Sequence, residues 1–149
     1  VFDGGYMKFD LIREDIEAWC GMFDVRAIEV DDYQANQVVT DLLDGGYPCE
    51  VFKKRPKYTT EPTDELLALI SSKLLQHDGN PISRWCALNV VGYRDELDQI
   101  LPKKDKPAPR EKIDGFDSLM MANASRITNA DARPKESVYE KRGPRRAAS

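Results

Sequence analysis

The chain has 149 residues, 41% of them hydrophobic, and a formal net charge of -4, which is enough to bury one core and too little for two. No apolar run approaches the roughly 18 residues of a membrane span, and no basic segment leads into an apolar stretch at the start, so a soluble, untargeted, cytoplasmic protein without membrane contact is expected. Cys20, Cys49 and Cys86 are odd in number and widely spaced, with no C-x-x-C pair and one histidine in the chain; this argues against a zinc site or disulfide framework and predicts small, reduced core residues.

In chain order, Asp10 is placed to cap a helix whose apolar residues Ile12, Ile16, Trp19, Cys20 and Phe23 recur at helical spacing. "VRAIEV", residues 25–30, is short and rich in β-branched residues and ends in Asp31-Asp32, as a buried strand terminating in carboxylates would. Ala35, Val38, Val39, Leu42 and Leu43 form a helical stripe stopped by Gly45-Gly46, and "YPCEVFK" follows as a second strand. Strand, helix and strand in about thirty residues make a βαβ unit with parallel strands, hence an α/β class. Thr63 is a candidate cap for a helix carrying Leu66, Leu67, Ile70 and Leu74 that ends near "HDGNP". "RWCALNVVGY" reads as a strand, "LPKKDKPAPREK" as a charged loop, and Ile113, Phe116, Met120 and Ile127 as the apolar side of a last helix.

Two aspartates, Asp114 and Asp117, stand at the threshold of that last helix. Taken alone, each can accept orphan backbone N–H groups and favour the positive end of the helix dipole. Their combination with Asp31 points elsewhere, because parallel sheets bind ligands beyond the carboxyl ends of their strands. Carboxylates suit magnesium or manganese, and a pair of such ions about 3.5 to 4 Å apart can stabilise the attacking and leaving oxygens of a phosphodiester.

The segment "AIEVDDYQANQVVTDLLDGGYPCEVF", then "LLQHDGNPISRWCALNVV", then "PKKDKPAPREKIDGFDSLMMA", resembles the C-terminal nuclease domain of tailed-phage terminase large subunits. The resemblance covers most of residues 9 to 125. It is carried by D-x-[WY]-x-A from Asp31, by H-x-G-N-P-x-x-x-W from His77 with Asn89 following, and by K-I-D-G at 112–115. It implies an RNase H-like mixed sheet flanked by helices, over residues 1–127. The implied activity is two-metal endonucleolytic cutting of concatemeric double-stranded viral DNA, using Mg2+ or Mn2+. The implied partners are that DNA, the phage portal and the small terminase subunit, in the cytoplasm of a bacterial host or prophage carrier. Asp31 matches the family's second metal-binding carboxylate and Asp114 its third, with Asp32 and Asp117 as neighbours. The resemblance thus makes Asp31 and Asp114 the expected catalytic residues, and Asp31, Asp114 and Asp117 the expected metal set. The family's first aspartate-bearing strand has no counterpart ahead of the helix near Asp10; Asp3 in "VFDGG" is a poor replacement, so the domain reads as truncated. No G-x-x-x-x-G-K-[ST] loop occurs in these residues, which places the packaging ATPase elsewhere. The alternative is a non-catalytic fragment that keeps the fold and binds DNA or the packaging assembly.

Lys53, Lys54, Arg55 and Lys57 follow the second strand and are candidate phosphate contacts, or a solvated charge run. His77 joins them as a DNA contact, or serves as a helix-end cap. Asn89 is expected to pair with backbone, and Trp19 and Trp85 to lie in the core. Residues 128–149 read as a basic flexible tail: from Arg133 onward, Arg133, Lys135, Lys141, Arg142, Arg145 and Arg146 outnumber Glu136 and Glu140, with too few apolar residues to offset ordering entropy.

Overall fold

The computed structural model describes residues 8–32, 36–105 and 111–129. Nine elements follow in order: α1 (Phe9–Met22), β1 (Ile28–Asp31), α2 (Asn36–Asp44), β2 (Cys49–Phe52), α3 (Pro56–Ser71), α4 (Pro81–Leu88), β3 (Val90–Arg94), β4 (Ile100–Lys104) and α5 (Asp114–Thr128). Strands β1 and β2 pair in parallel, with Glu29 opposite Glu50 and Asp31 opposite Phe52, as the βαβ reading requires. The antiparallel pair β3–β4 aligns Val91 with Lys103 and Tyr93 with Leu101. Together they supply both strand senses of a mixed α/β fold; among the described residues they form separate two-stranded sheets.

Helix α5 organises the interior. Phe116 and Met120, spaced i and i+4, are buried with Met121 and with Leu66 of α3, and Phe52, Leu75 and Val90 pack against them. Polar bonds then fix α3 in place. Asn123 is buried and donates Nδ2–H to the Pro62 carbonyl at 2.9 Å, while its Oδ1 accepts from Arg126 Nε at 3.0 Å. Arg126 also pairs with Glu65. At the other side of α3, Thr59 Oγ1 donates to the Ile100 carbonyl at 2.6 Å, and Thr60 Oγ1 accepts from Ile100 N at 2.8 Å. These bonds tie the β3–β4 hairpin to the helix.

Several expectations are corrected. The helix assigned to Thr63 begins seven residues earlier, because Pro56 suits the first helical turn, where its missing N–H costs nothing. Thr63 is buried inside α3 and caps nothing. Pro62 lies within that helix without ending it; its carbonyl is held by Asn123. "RWCALNVVGY" divides into the end of α4 and the strand β3, since Asn80-Pro81 starts a helix that the β-branched Val90-Val91 cannot extend. The charged loop begins only after β4, whose Ile100 and Pro102 face the core while Lys103 and Lys104 remain exposed. Trp19 and Trp85 are not core residues, being 55% and 42% exposed. The thiols are free: Cys49 and Cys86 are buried as expected, and Cys20 is half-buried. Asp3, Tyr33, Ala35 and the basic tail from residue 130 lie outside the described residues.

Gly115 allows α4 and α5 to meet. A Cβ there would stand 3.3 Å from Cys86 Sγ and 3.4 Å from its Cβ, tight for alanine and overpacked for anything larger. Gly115→Val is therefore expected to lower stability by about 1–3 kcal/mol, measured by denaturant unfolding. The loss should be partly recovered in a Cys86→Ala background, and additive effects in that double-mutant cycle would remove Cys86 as the cause.

Candidate metal and nucleic-acid site

The geometry follows from two periodicities. Along β1, Glu29 and Asp31 are two residues apart and therefore share a face; along α5, Asp117, Met121 and Ser125 are four apart and share a stripe. Strand β1 packs against α5. Ser125 and Glu29 line the same recess, where Ser125 favours the ionised form of Glu29, and at the other end of the stripe the charge of Asp31 acts on Asp117. Asp31 is the last residue of β1 and half-buried, while Asp32 is exposed in the bend beyond it.

Lys54, two residues past β2, pairs with Asp117 Oδ2, and both side chains are largely buried. Burial pushes the Asp117 carboxyl above the ordinary range; the hydrogen bond and charge of Lys54 oppose this, and repulsion from Asp114 and Asp31 adds to it. Asp117 Oδ1 is also buried and has no hydrogen-bond partner among the described residues. The charges of Asp31 and Asp114 thus act on a carboxylate with a buried oxygen lacking a partner among the described residues, whose desolvation is uncompensated. A divalent ion with oxygen ligands suits such an atom. Nevertheless, no group of three or more His, Cys, Asp or Glu side chains among the described residues is already gathered tightly enough to hold an ion.

Neither aspartate is the N-cap of α5. Ile113 occupies the N-cap of α5 without a side-chain cap hydrogen bond, and Asp114 and Asp117 fall in the first turn. They retain a favourable interaction with the dipole, but serine-like capping is absent. Asn89 pairs with backbone as expected: its Nδ2 donates to the Lys112 carbonyl at 3.1 Å, and its own carbonyl accepts from Asp105 N at 2.9 Å. Asn89 thereby holds the residue two before Asp114.

The expected run of phosphate contacts is divided. Lys54 turns to Asp117, whereas Lys53 lines a recess with Glu29 and Glu50, a poor surface for phosphate. Lys57 lies over the Tyr58 ring, 5.8 Å from its centroid, and Arg55 occupies the N-cap of α3. His77 is exposed, and its Nδ1 accepts from Gly79 N at 3.0 Å. The H-x-G-N-P segment builds the start of α4: Gly79 has φ +77°, and Asn80 Oδ1 caps Ile82 N at 2.9 Å before Pro81. Sequence reading overlooked Lys103 and Lys104, because it assigned them to a loop.

The fold and carboxylate arrangement define an α/β domain with an acidic group at the carboxyl end of a parallel strand. No family model matches the sequence. Protein YmfN of Escherichia coli (strain K12) is 32% identical over 122 residues, covering 82% of this chain and 27% of that protein. The crystal structure of the HK97 bacteriophage large terminase matches with a TM-score of 0.69 at 24% identity, over 82% of this chain and 26% of that one. The chain has the fold of part of a phage large terminase and spans about a quarter of the length of either relative. No described helix is long and apolar enough to cross a membrane.

Glu29 gives this region a pH signature. Burial raises its pKa, the Ser125 hydrogen bond lowers it, and Glu50, its partner across the parallel pair, raises it further. An acid whose folded pKa exceeds the unfolded one retains more protons when folded, so stability falls as pH rises through the folded pKa. Glu29→Gln is expected to melt higher than the wild type at neutral pH, with the gap closing as pH drops below the ordinary carboxylate range. A pH-independent gap in thermal denaturation would exclude this origin.

Proposed function

We propose that this chain is the nuclease portion of a phage or prophage DNA-packaging terminase and cuts concatemeric double-stranded DNA by metal-dependent phosphodiester hydrolysis. The observation that carries this reading is the unpartnered, buried Oδ1 of Asp117, with Asp31 and Asp114 close enough for their charges to raise its pKa. The terminase fold of the HK97 protein is consistent with it. In this reading Asp31 and Asp114 hold Mg2+ or Mn2+, and Asp117 contributes its free oxygen or orients the others through Lys54. Divalent ions, when bound, supply Lewis acidity to the phosphate and to the attacking and leaving oxygens. The chain's own residues set the carboxylates at the end of β1 and the start of α5. They also oppose the upward shift of the Asp117 carboxyl through the Lys54 ammonium and fix the K-I-D-G segment through Asn89. The ATPase, the portal and the small terminase subunit belong to the rest of the packaging machinery.

A second reading is favoured by the absence of a tight ligand cluster among the described residues: a non-catalytic domain that keeps the fold and binds DNA or the packaging assembly.

The two readings separate in one experiment. Manganese should raise the melting temperature of the wild type, since ligand in about 100-fold excess over its dissociation constant contributes about 2.7 kcal/mol. Asp31→Asn and Asp114→Asn should retain metal-free stability while losing both that shift and plasmid nicking. Manganese binding without any nicking by the wild type would favour the second reading; equal shifts in all three proteins would reject the carboxylates as ligands.

A further inference from the structure

The antiparallel hairpin carries a basic wall that the metal-site reading does not use. Strand alternation puts Leu101 and Lys103 on one face of β4 and Ile100, Pro102 and Lys104 on the other. Ile100 and Pro102 are buried, so Lys104 continues the inward face just where β4 leaves the core. Lys103 is held on the outer face, its ammonium 4.8 Å from the centroid of the Tyr93 ring across the hairpin. Both lysines, with Lys54, Leu101, Pro102 and Ile113, line a single open groove of about 430 Å³. No ion pair engages Lys103 or Lys104 among the described residues. The neighbouring acids are Asp105, which follows Lys104, and Asp114, which follows Ile113.

The groove meets the carboxylate group at two points. Lys54 forms part of its wall and simultaneously pairs with Asp117, and Ile113 is adjacent in sequence to Asp114. A chain with net charge -4 repels a polyanion on average, so a local surface with two exposed ammonium groups, Lys103 and Lys104, at the edge of the acidic site is where a phosphate backbone can approach, Lys54 being already neutralised by Asp117. Lys53, by contrast, shares its recess with Glu29 and Glu50.

We propose that the groove between β4 and Ile113 is the track for the backbone of double-stranded DNA, with Lys103 and Lys104 contacting phosphates beside the bond presented to Asp31, Asp114 and Asp117. The proposal rests on the nuclease reading for the identity of the polyanion, and phosphate contact carries no sequence preference.

The test is anisotropy of a short fluorescein-labelled duplex with the full chain, in EDTA, over a series of salt concentrations. A Lys103→Gln/Lys104→Gln double variant is compared with the wild type and with Lys53→Gln/Lys57→Gln. Each lost phosphate contact should reduce the salt slope by about 0.9, so the hairpin variant should lose about 1.8 and bind about tenfold more weakly at moderate salt. Its melting temperature and its calorimetric manganese affinity should stay at wild-type values, while Lys53→Gln/Lys57→Gln should bind DNA as the wild type does. An unchanged slope in the hairpin variant, a loss confined to Lys53→Gln/Lys57→Gln, or no duplex binding by the wild type would overturn the proposal. Hairpin-dependent DNA binding by a protein that neither binds manganese nor nicks would support the track and reject the nuclease reading. Manganese binding and nicking that ignore the hairpin substitutions would do the reverse.

Discussion

The ion pair between Lys54 and Asp117 joins the three parts of the molecule that matter for its chemistry. Lys54 arrives from the end of the parallel sheet, Asp117 from the first turn of α5, and the same lysine lines the groove under the β3–β4 hairpin. Largely buried pairs add little net stability, because desolvation offsets most of the attraction. Removing one member is far more costly, since the other charge is left buried alone. The pair therefore acts chiefly as a geometric constraint: it uses one oxygen of Asp117 and leaves the second buried without a hydrogen-bond partner among the described residues, while the charges of Asp31 and Asp114 also act on this carboxylate.

The surrounding fold maintains that constraint. Phe116 and Met120 anchor α5 in the core, and the Pro62–Asn123–Arg126–Glu65 chain sets α3 against it. Asn89 ties the end of α4 to the segment preceding Asp114, and Gly115 permits the close approach of α4. Each contact restricts the position of one aspartate without involving its carboxylate. The resulting accumulation of like charge is unfavourable in isolation, and the Lys54 ammonium offsets only part of it at Asp117.

Much of this was legible in the sequence. The βαβ unit followed from the spacing of Val38, Val39, Leu42 and Leu43 between the β-branched "VRAIEV" and the short "YPCEVFK", and Asp31 at a strand end followed from the abrupt switch to acid after Val30. The last helix was visible in Phe116 and Met120. Local rules failed where proline sets an element's start: Pro56 and Pro81 initiate helices that a search for hydroxyl caps or β-branched runs misplaces. The two tryptophans misled because large aromatic surface was equated with burial. The run Lys53 to Lys57 looked continuous, but only three-dimensional placement reveals that Lys54 turns inward, and Lys103 and Lys104 became relevant only once β4 was recognised.

The central claim is that Asp31, Asp114 and Asp117 form one cation-binding group. Crystals grown with manganese and measured at its absorption edge test it most directly. The account predicts an anomalous peak within about 2.0 to 2.6 Å of carboxylate oxygens from Asp31 and Asp114, beside the Asp117–Lys54 pair. Anomalous peaks confined to other surface carboxylates, with these three aspartates metal-free, would contradict it.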